Sequence, residues 1–170
     1  MQNVKETVRT FDGVDLNIHP RISVFEPTQK IHFVGFLLDL VTMTVRLTQD
    51  KADSLIALCY DILQKQNITI CKLAQLVGKL VASKPGVEYA PLYYKDLEHE
   101  KDKYLKIHKG YFDAYLSLSA ESRQCISWWI SNVHFSFKVV SHGEPQVVLT
   151  SDSSLVGCGG RGERKPYNQS

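Results

Sequence analysis

Three groups of residues have types and spacing that suit chemistry or ligand contact. Asp152 follows a short run, Val147, Val148, Leu149 and Thr150, and precedes Gly157, Gly159 and Gly160. A carboxylate just beyond a strand and before a glycine-rich turn can hold a divalent cation at a sheet edge. Two-metal nucleases need several converging carboxylates, because one donor cannot fix two ions about 3.5–4 Å apart. Asp152 is therefore a candidate catalytic carboxylate in an unfinished site, and only a weak metal ligand. The same position suits an aspartate that merely caps a turn, and spacing by itself favours the cap. Phe33-Val34-Gly35-Phe36 is the second group. A glycine flanked by aromatics on a strand lets a nucleic-acid backbone come close, although a core strand with a bulge is the simpler reading. Lys72 and Lys79 stand seven residues apart, on one side of a helix and away from its apolar stripe. Each can meet a phosphate as a point charge, but most such lysines belong to a solvated face. Of the adjacent Trp128 and Trp129, one should face the core, while the other offers a ring that can pack or stack on a base.

The elements that must position these residues are legible from periodicity. Val4, Val8 and Phe11 mark a short amphipathic helix that Asp12-Gly13 ends. Residues 31–38 are almost all apolar and read as one strand, broken by Gly35. Residues 42–47 alternate, with Met43, Val45 and Leu47 on one face, and should pair with 31–38 as a β-hairpin. Gly35 inside the first strand predicts a bulge or close backbone approach.

At Thr48 the period becomes helical. Thr48 reads as an N-cap, and Ala52, Leu55, Ile56, Cys59, Ile62 and Leu63 form one stripe. Thr69 reads as the cap of a second helix with Ile70, Leu73, Val77, Leu80 and Val81 inside, ended by Pro85-Gly86. A helix over 50–65 and another over 70–83, joined by a short link, should pack antiparallel. Residues 89–113 are aromatic and charged, and the mixed-sign stretch over 95–109 reads as a solvated surface. Ser119 caps a helix carrying Cys125, Ile126, Trp129 and Ile130. Residues 142–145 form a loop, and 147–150 read as a buried strand.

Composition excludes several classes. Hydrophobic residues make up 44% and charged residues 22%, as in globular proteins. A net charge of +2 and a pI near 8.3 do not by themselves predict nucleic-acid binding. Cys59, Cys71, Cys125 and Cys158 form no C-x-x-C pair, and the six histidines are scattered, which argues against a zinc site or a disulfide framework. No run reaches the roughly 18 apolar residues of a membrane span, and residues 1–10 lack the apolar segment of a signal peptide. The expectation is an intracellular protein of the cytoplasm or nucleus with no membrane partner. Its oligomeric state is left open.

In order, the motifs resemble reverse transcriptases of long-terminal-repeat and DIRS-like retroelements, the DIRS-like kind most closely. "PTQKIHFVGFLLD" at 27–39 is similar to the primer-grip strand, and "MTVRLTQDK" at 43–51 to the start of the thumb. "LAQLVGKLVASKPGVEYAPLYYKDLE" at 73–98 resembles the passage from thumb to connection. "LSAESRQCISWWISN" at 118–132 resembles the helix before RNase H, and "VVLTSDSSLVGCGG" at 147–160 the first RNase H strand with its leading aspartate. The resemblance spans nearly the whole chain.

It implies an α+β fold in four parts: a C-terminal palm remnant with a primer-grip-like hairpin over 1–47, a helical thumb pair over 48–83, a connection over 84–145, and a truncated RNase H-like start over 146–170. It implies RNA-directed DNA synthesis and RNase H activity for the parent enzyme, with Mg2+ as cofactor and an RNA–DNA or DNA primer–template duplex as partner. Phe33, Val34, Gly35, Phe36, Lys72 and Lys79 would contact the duplex, and Asp152 would lead the RNase H site.

The departures are specific. The Tyr-x-Asp-Asp turn that binds catalytic magnesium occurs nowhere in the chain. Ile22 stands where a lysine of a Pro-x-Lys-Ser setting is expected, and Cys158 interrupts the usual Gly-Trp-Gly. The other RNase H carboxylates would lie beyond Ser170. The expectation is an inactive chain that at most binds a duplex and holds no metal tightly. The same residues also fit a noncatalytic nucleic-acid- or protein-binding module retained from a mobile element, or a decayed reading frame with no function.

Overall fold

The computed structural model describes residues 2–19, 23–140, 147–154 and 157–164, the last two segments as backbone. The architecture is mixed α+β. Ile22 and the 142–145 loop lie outside the described residues.

Helix α1 spans Gln2–Gly13. Its Val4, Val8 and Phe11 line one side of a cavity of about 310 Å3, closed by Ile18, Val24 and Phe25. Strand β1, Lys30–Phe33, and strand β2, Phe36–Asp39, pair antiparallel with Phe33 opposite Phe36. This corrects the single strand expected over 31–38. Val34 and Gly35 take φ of 49° and 77°, the two positive values that a tight two-residue hairpin turn requires. The run of apolar residues continues through both strands, so periodicity cannot see the reversal. Gly35 therefore makes a turn and not a bulge.

Strand β3, Thr44–Leu47, pairs with β2, with Leu38 opposite Val45. The expected hairpin thus survives in its second half, while Met43, at φ 51°, belongs to the turn and not to the strand. Asp39 organises that turn. Its Oδ1 accepts from the amides of Val41 and Thr42 at 2.9 and 3.2 Å, and its Oδ2 lies 2.9 Å from the Lys30 ammonium.

Helix α2 spans Gln49–Leu63; strand β4, Ile68–Thr69, leads into helix α3, Ile70–Ser83. Thr69 caps α3 by accepting from the Lys72 amide at 3.2 Å. Thr48 holds the N-cap backbone position of α2 but makes no cap bond. Its hydroxyl and amide both donate to the Gly35 carbonyl, at 3.3 and 3.0 Å, so the turn has captured the expected cap.

Two 3-10 turns, Lys84–Gly86 and Ala90–Tyr93, follow α3. A Cβ on Gly86 would sit 2.8 Å from Leu47 Cδ1 and 3.0 Å from the Arg46 backbone, so glycine lets this turn press against β3. Residues 95–109, expected as mere surface, contain helix α4, Lys95–Ile107, anchored by buried Leu97. The mixed charges hide this helix because few apolar positions mark its inner face. Strand β5, Tyr115–Leu116, pairs with β4.

Helix α5 spans Ala120–Asn132, capped by Ser119, whose hydroxyl accepts from the Ser122 amide at 3.2 Å. Strand β6, Lys138–Val139, joins the far side of β3, giving the sheet order β1-β2-β3-β6. Strands β7, Val147–Ser154, and β8, Gly157–Arg164, form a separate antiparallel hairpin.

One buried cluster runs from Leu47 to Val133, so all four helices α2–α5 share a core. Leu55, Ile62, Leu73 and Val77 lie in it as expected. Val81 does not: it is 40% exposed, and Leu76 is buried instead. The inner face of α3 centres on Leu73, Leu76 and Leu80, one position away from the stripe read through Val81. Trp129 is fully buried and donates from Nε1 to the Tyr93 carbonyl at 3.0 Å. Arg123 donates to the Leu63 and Lys65 carbonyls at 3.2 and 3.1 Å, binding α5 to the negative end of α2. No helix of the described residues is long and apolar enough to cross a membrane.

Candidate nucleic-acid interface

The Val34-Gly35 turn stands at the sheet end nearest the first turn of α2. Phe33 and Val34 are exposed, 63% and 73% respectively. An apolar β-branched residue at positive φ is an outlier among non-glycine residues, and such strain gathers at functional positions. Phe36 is half-buried, and Lys51 on α2 holds its ammonium 3.8 Å from the Phe36 ring centre. A Cβ on Gly35 would approach Lys51 Cδ to 2.9 Å. Glycine thus serves twice here, for the left-handed backbone and for the Lys51 stem.

Lys51 extends on to the α2–α3 seam, where its Nζ donates to the Ala82 carbonyl at 3.4 Å. Two further links cross the same seam. Lys79 Nζ donates to Ser54 Oγ at 3.1 Å, and Lys72 Nζ lies 3.3 Å from Asp61 Oδ2. The pairs 51 with 82, 54 with 79 and 61 with 72 advance in opposite directions along the two helices, as antiparallel packing demands. Lys51, Ser54, Leu55, Lys79, Ala82 and Ser83 line a cleft of about 140 Å3.

The charges on this seam differ in availability. Asp61 takes both Lys72 and Lys65, the latter at 2.7 Å, and these two ammonium groups hold its carboxyl below the usual range. Lys72 is therefore compensated. Lys79 and Lys51 meet a hydroxyl, a carbonyl and a ring, none of which cancels a charge. Partial burial pushes the Lys51 ammonium below its ordinary value.

Six residues were expected at the duplex, and the structure gathers them unevenly. Phe33, Val34, Gly35 and Phe36 form the hairpin tip; Lys79 joins them through Lys51 and the cleft; Lys72 sits farther along the seam. Sequence reasoning missed Lys51. The signal for it is a lysine in the first turn of a helix, where the helix dipole disfavours a cation and a specific partner is needed.

Asp152 stands apart from this surface in the sequence of elements. Its backbone lies inside β7 opposite Gly159 of β8. The strand expected over 147–150 continues to Ser154, and Gly157, Gly159 and Gly160 lie in β8. Asp152 is thus neither just beyond a strand nor before a glycine-rich turn. Cross-strand pairing with glycines, which carry no side chain to oppose, allows a polar strand to extend where the apolar run has stopped.

Trp128, the more exposed of the tryptophan pair, stacks on Tyr93 with centroids 3.7 Å apart and planes 5° apart. No protein-family model, curated protein or solved structure matches the chain.

Proposed function

We propose that this chain corresponds to the part of a retroelement reverse transcriptase between the polymerase active site and the first RNase H strand, and that it binds a primer–template duplex without catalysing a reaction. The ordered series of motifs supports the family reading. In that reading α1 and the β1-β2-β3 sheet are the palm remnant, α2 and α3 the thumb, the segment through α5 and β6 the connection, and β7 the start of an RNase H sheet led by Asp152.

The observation that carries duplex binding is the hairpin tip. An exposed Val34 at positive φ precedes Gly35, against which Lys51 packs, and Lys51 shares a cleft with Lys79; among the described residues neither ammonium pairs with a carboxylate. Phosphate contact by cations of this kind releases counterions, so affinity should fall as salt rises. The parent enzyme would use Mg2+ for nucleotide transfer and RNA cleavage. In this chain no Tyr-x-Asp-Asp carboxylates exist to hold it for polymerisation.

Fluorescence anisotropy of a labelled RNA–DNA primer–template, titrated with protein across a salt series, tests the reading. Binding that weakens with salt is expected, together with no primer extension in magnesium. Undetectable binding at low salt, or an affinity indifferent to salt, overturns it.

A further inference from the structure

A second surface, on the opposite end of α5 from its Ser119 cap, carries a different chemistry. Asn132 ends α5, and its carbonyl accepts from the amides of Phe135 and Ser136 at 3.1 and 3.0 Å and from Ser136 Oγ at 2.9 Å. This folds the chain back beside the helix it has just left. Phe135 and Phe137 thereby come alongside Trp128, and Tyr89 completes a pocket of about 230 Å3. Trp128 has one face covered by Tyr93 and an edge-to-face contact with Trp129 at 5.7 Å. Its ring is held rigidly and lines the pocket. The other three rings are largely bare: Tyr89 is 57%, Phe135 83% and Phe137 50% exposed. Four aromatic rings converging on one small pocket at this exposure are unusual for a surface that only packs.

The electrostatics of the pocket select its occupant. Glu88 is the one charged side chain lining it, and it has no partner among the described residues. Aromatic faces are negative as well, through the ring quadrupole. Both features favour a cation, and the rings favour one that sheds water easily. A methylated ammonium meets both demands, since its methyl groups contact ring faces while its charge stays close to them.

We infer that the Tyr89–Trp128–Phe135–Phe137 pocket is a binding site for the trimethylated side chain of a lysine in a partner peptide. A nucleobase would bring a phosphate toward Glu88. A choline headgroup would bring a phosphate next to its nitrogen. A trimethyllysine side chain brings only the cation and an apolar stem.

Calorimetric titration of the full chain with a peptide bearing one trimethyllysine tests the inference. The controls are the same peptide with unmodified lysine and with the neutral isostere, in which carbon replaces the ammonium nitrogen. Saturable binding of the trimethylated peptide is expected, with about fivefold or greater loss for the isostere, roughly 1 kcal/mol. Phe135→Ala and Glu88→Gln alter exposed side chains, and each should weaken binding severalfold while leaving the thermal transition in place. Equal affinity for the isostere, equal affinity for unmodified lysine, or no saturable binding overturns the inference. So does displacement of the peptide by a single-stranded oligonucleotide or phosphocholine vesicles, if their own binding is lost with Phe135→Ala.

Discussion

The Lys51 ammonium lies 3.8 Å from the centre of the Phe36 ring, and its stem fills the space where a Cβ on Gly35 would stand. This contact joins a hairpin turn to a helical seam, two features that sequence reasoning treats separately. Lys51 is the residue through which the exposed tip at Val34 and the cation at Lys79 become one surface.

The first prediction concerns that surface. Lys51→Ala and Lys79→Ala should each weaken duplex binding and each lower the slope of log affinity against log salt by about 1. Anisotropy titrations at several salt concentrations measure both quantities. Lys72→Ala should change the slope less, because Asp61 already compensates that charge. A Lys72 effect equal to that of Lys79 would show that the ion pair opens on binding and that the assignment of free charges is wrong.

The turn itself is strained, and the strain is testable. Asparagine tolerates a left-handed backbone far better than valine, and Asn-Gly is the favoured pair for such hairpins. Val34→Asn should therefore stabilise the fold by about 1 kcal/mol, the lower end of the left-handed penalty. Gly35→Ala should destabilise it by about 1–2 kcal/mol and displace Lys51. Denaturant midpoints of the two variants should move in opposite directions; a shift in the same direction would mean that backbone strain does not govern this turn.

Leu73 is fully buried where α3 faces the shared core. Leu73→Ala should cost about 2–5 kcal/mol through lost burial and a residual cavity. Chemical denaturation gives the value. A loss below about 0.5 kcal/mol would be inconsistent with this packing.

Asp39 sets a pH dependence. The hydrogen bond from Lys30 and the amides of Thr42 and Val41 hold its carboxyl below the ordinary value of 3.8, against a smaller opposing effect of burial. Its contribution to stability is fully present above pH 3.8, where both folded and unfolded carboxylates are ionised. It is lost as pH falls through the lower native value. Asp39→Asn should therefore flatten the acid limb of the stability profile. An unchanged limb in thermal melts between pH 2 and pH 5 would show that other carboxylates govern acid unfolding.

The cysteines should react in a fixed order. Burial pushes the Cys59 thiol up to about 12, while Cys71 is exposed. Burial also raises the Cys125 thiol, and the neighbouring Asp96 carboxylate adds to it. Iodoacetamide at pH 8 should modify Cys71 in the native protein and reach Cys59 only after unfolding. Peptide mapping reads this directly, and native labelling of Cys59 would place it outside the core.

By itself the sequence determined helices α2, α3 and α5. The apolar spacing over Leu55, Ile62, Leu73 and Val77 is regular enough that only one face can be buried, and Thr69 and Ser119 declare their helix starts because local side chains satisfy local amides. It also brought forward the hairpin tip and Lys79 as candidate contacts. What it did not contain was decided by backbone sign and by distant pairing. Val34 reverses the chain at positive φ although valine avoids that conformation, so no local preference announced the turn. Thr48 gives its hydroxyl to Gly35, thirteen residues away, and not to its own helix. Helix α4 forms because Leu97 finds the core laid down by α3 and α5, not because its charged surface marks it. The gathering of Tyr89, Trp128, Phe135 and Phe137 has the same origin. They lie up to 48 residues apart in the chain, and only the fold-back at the end of α5 makes them neighbours.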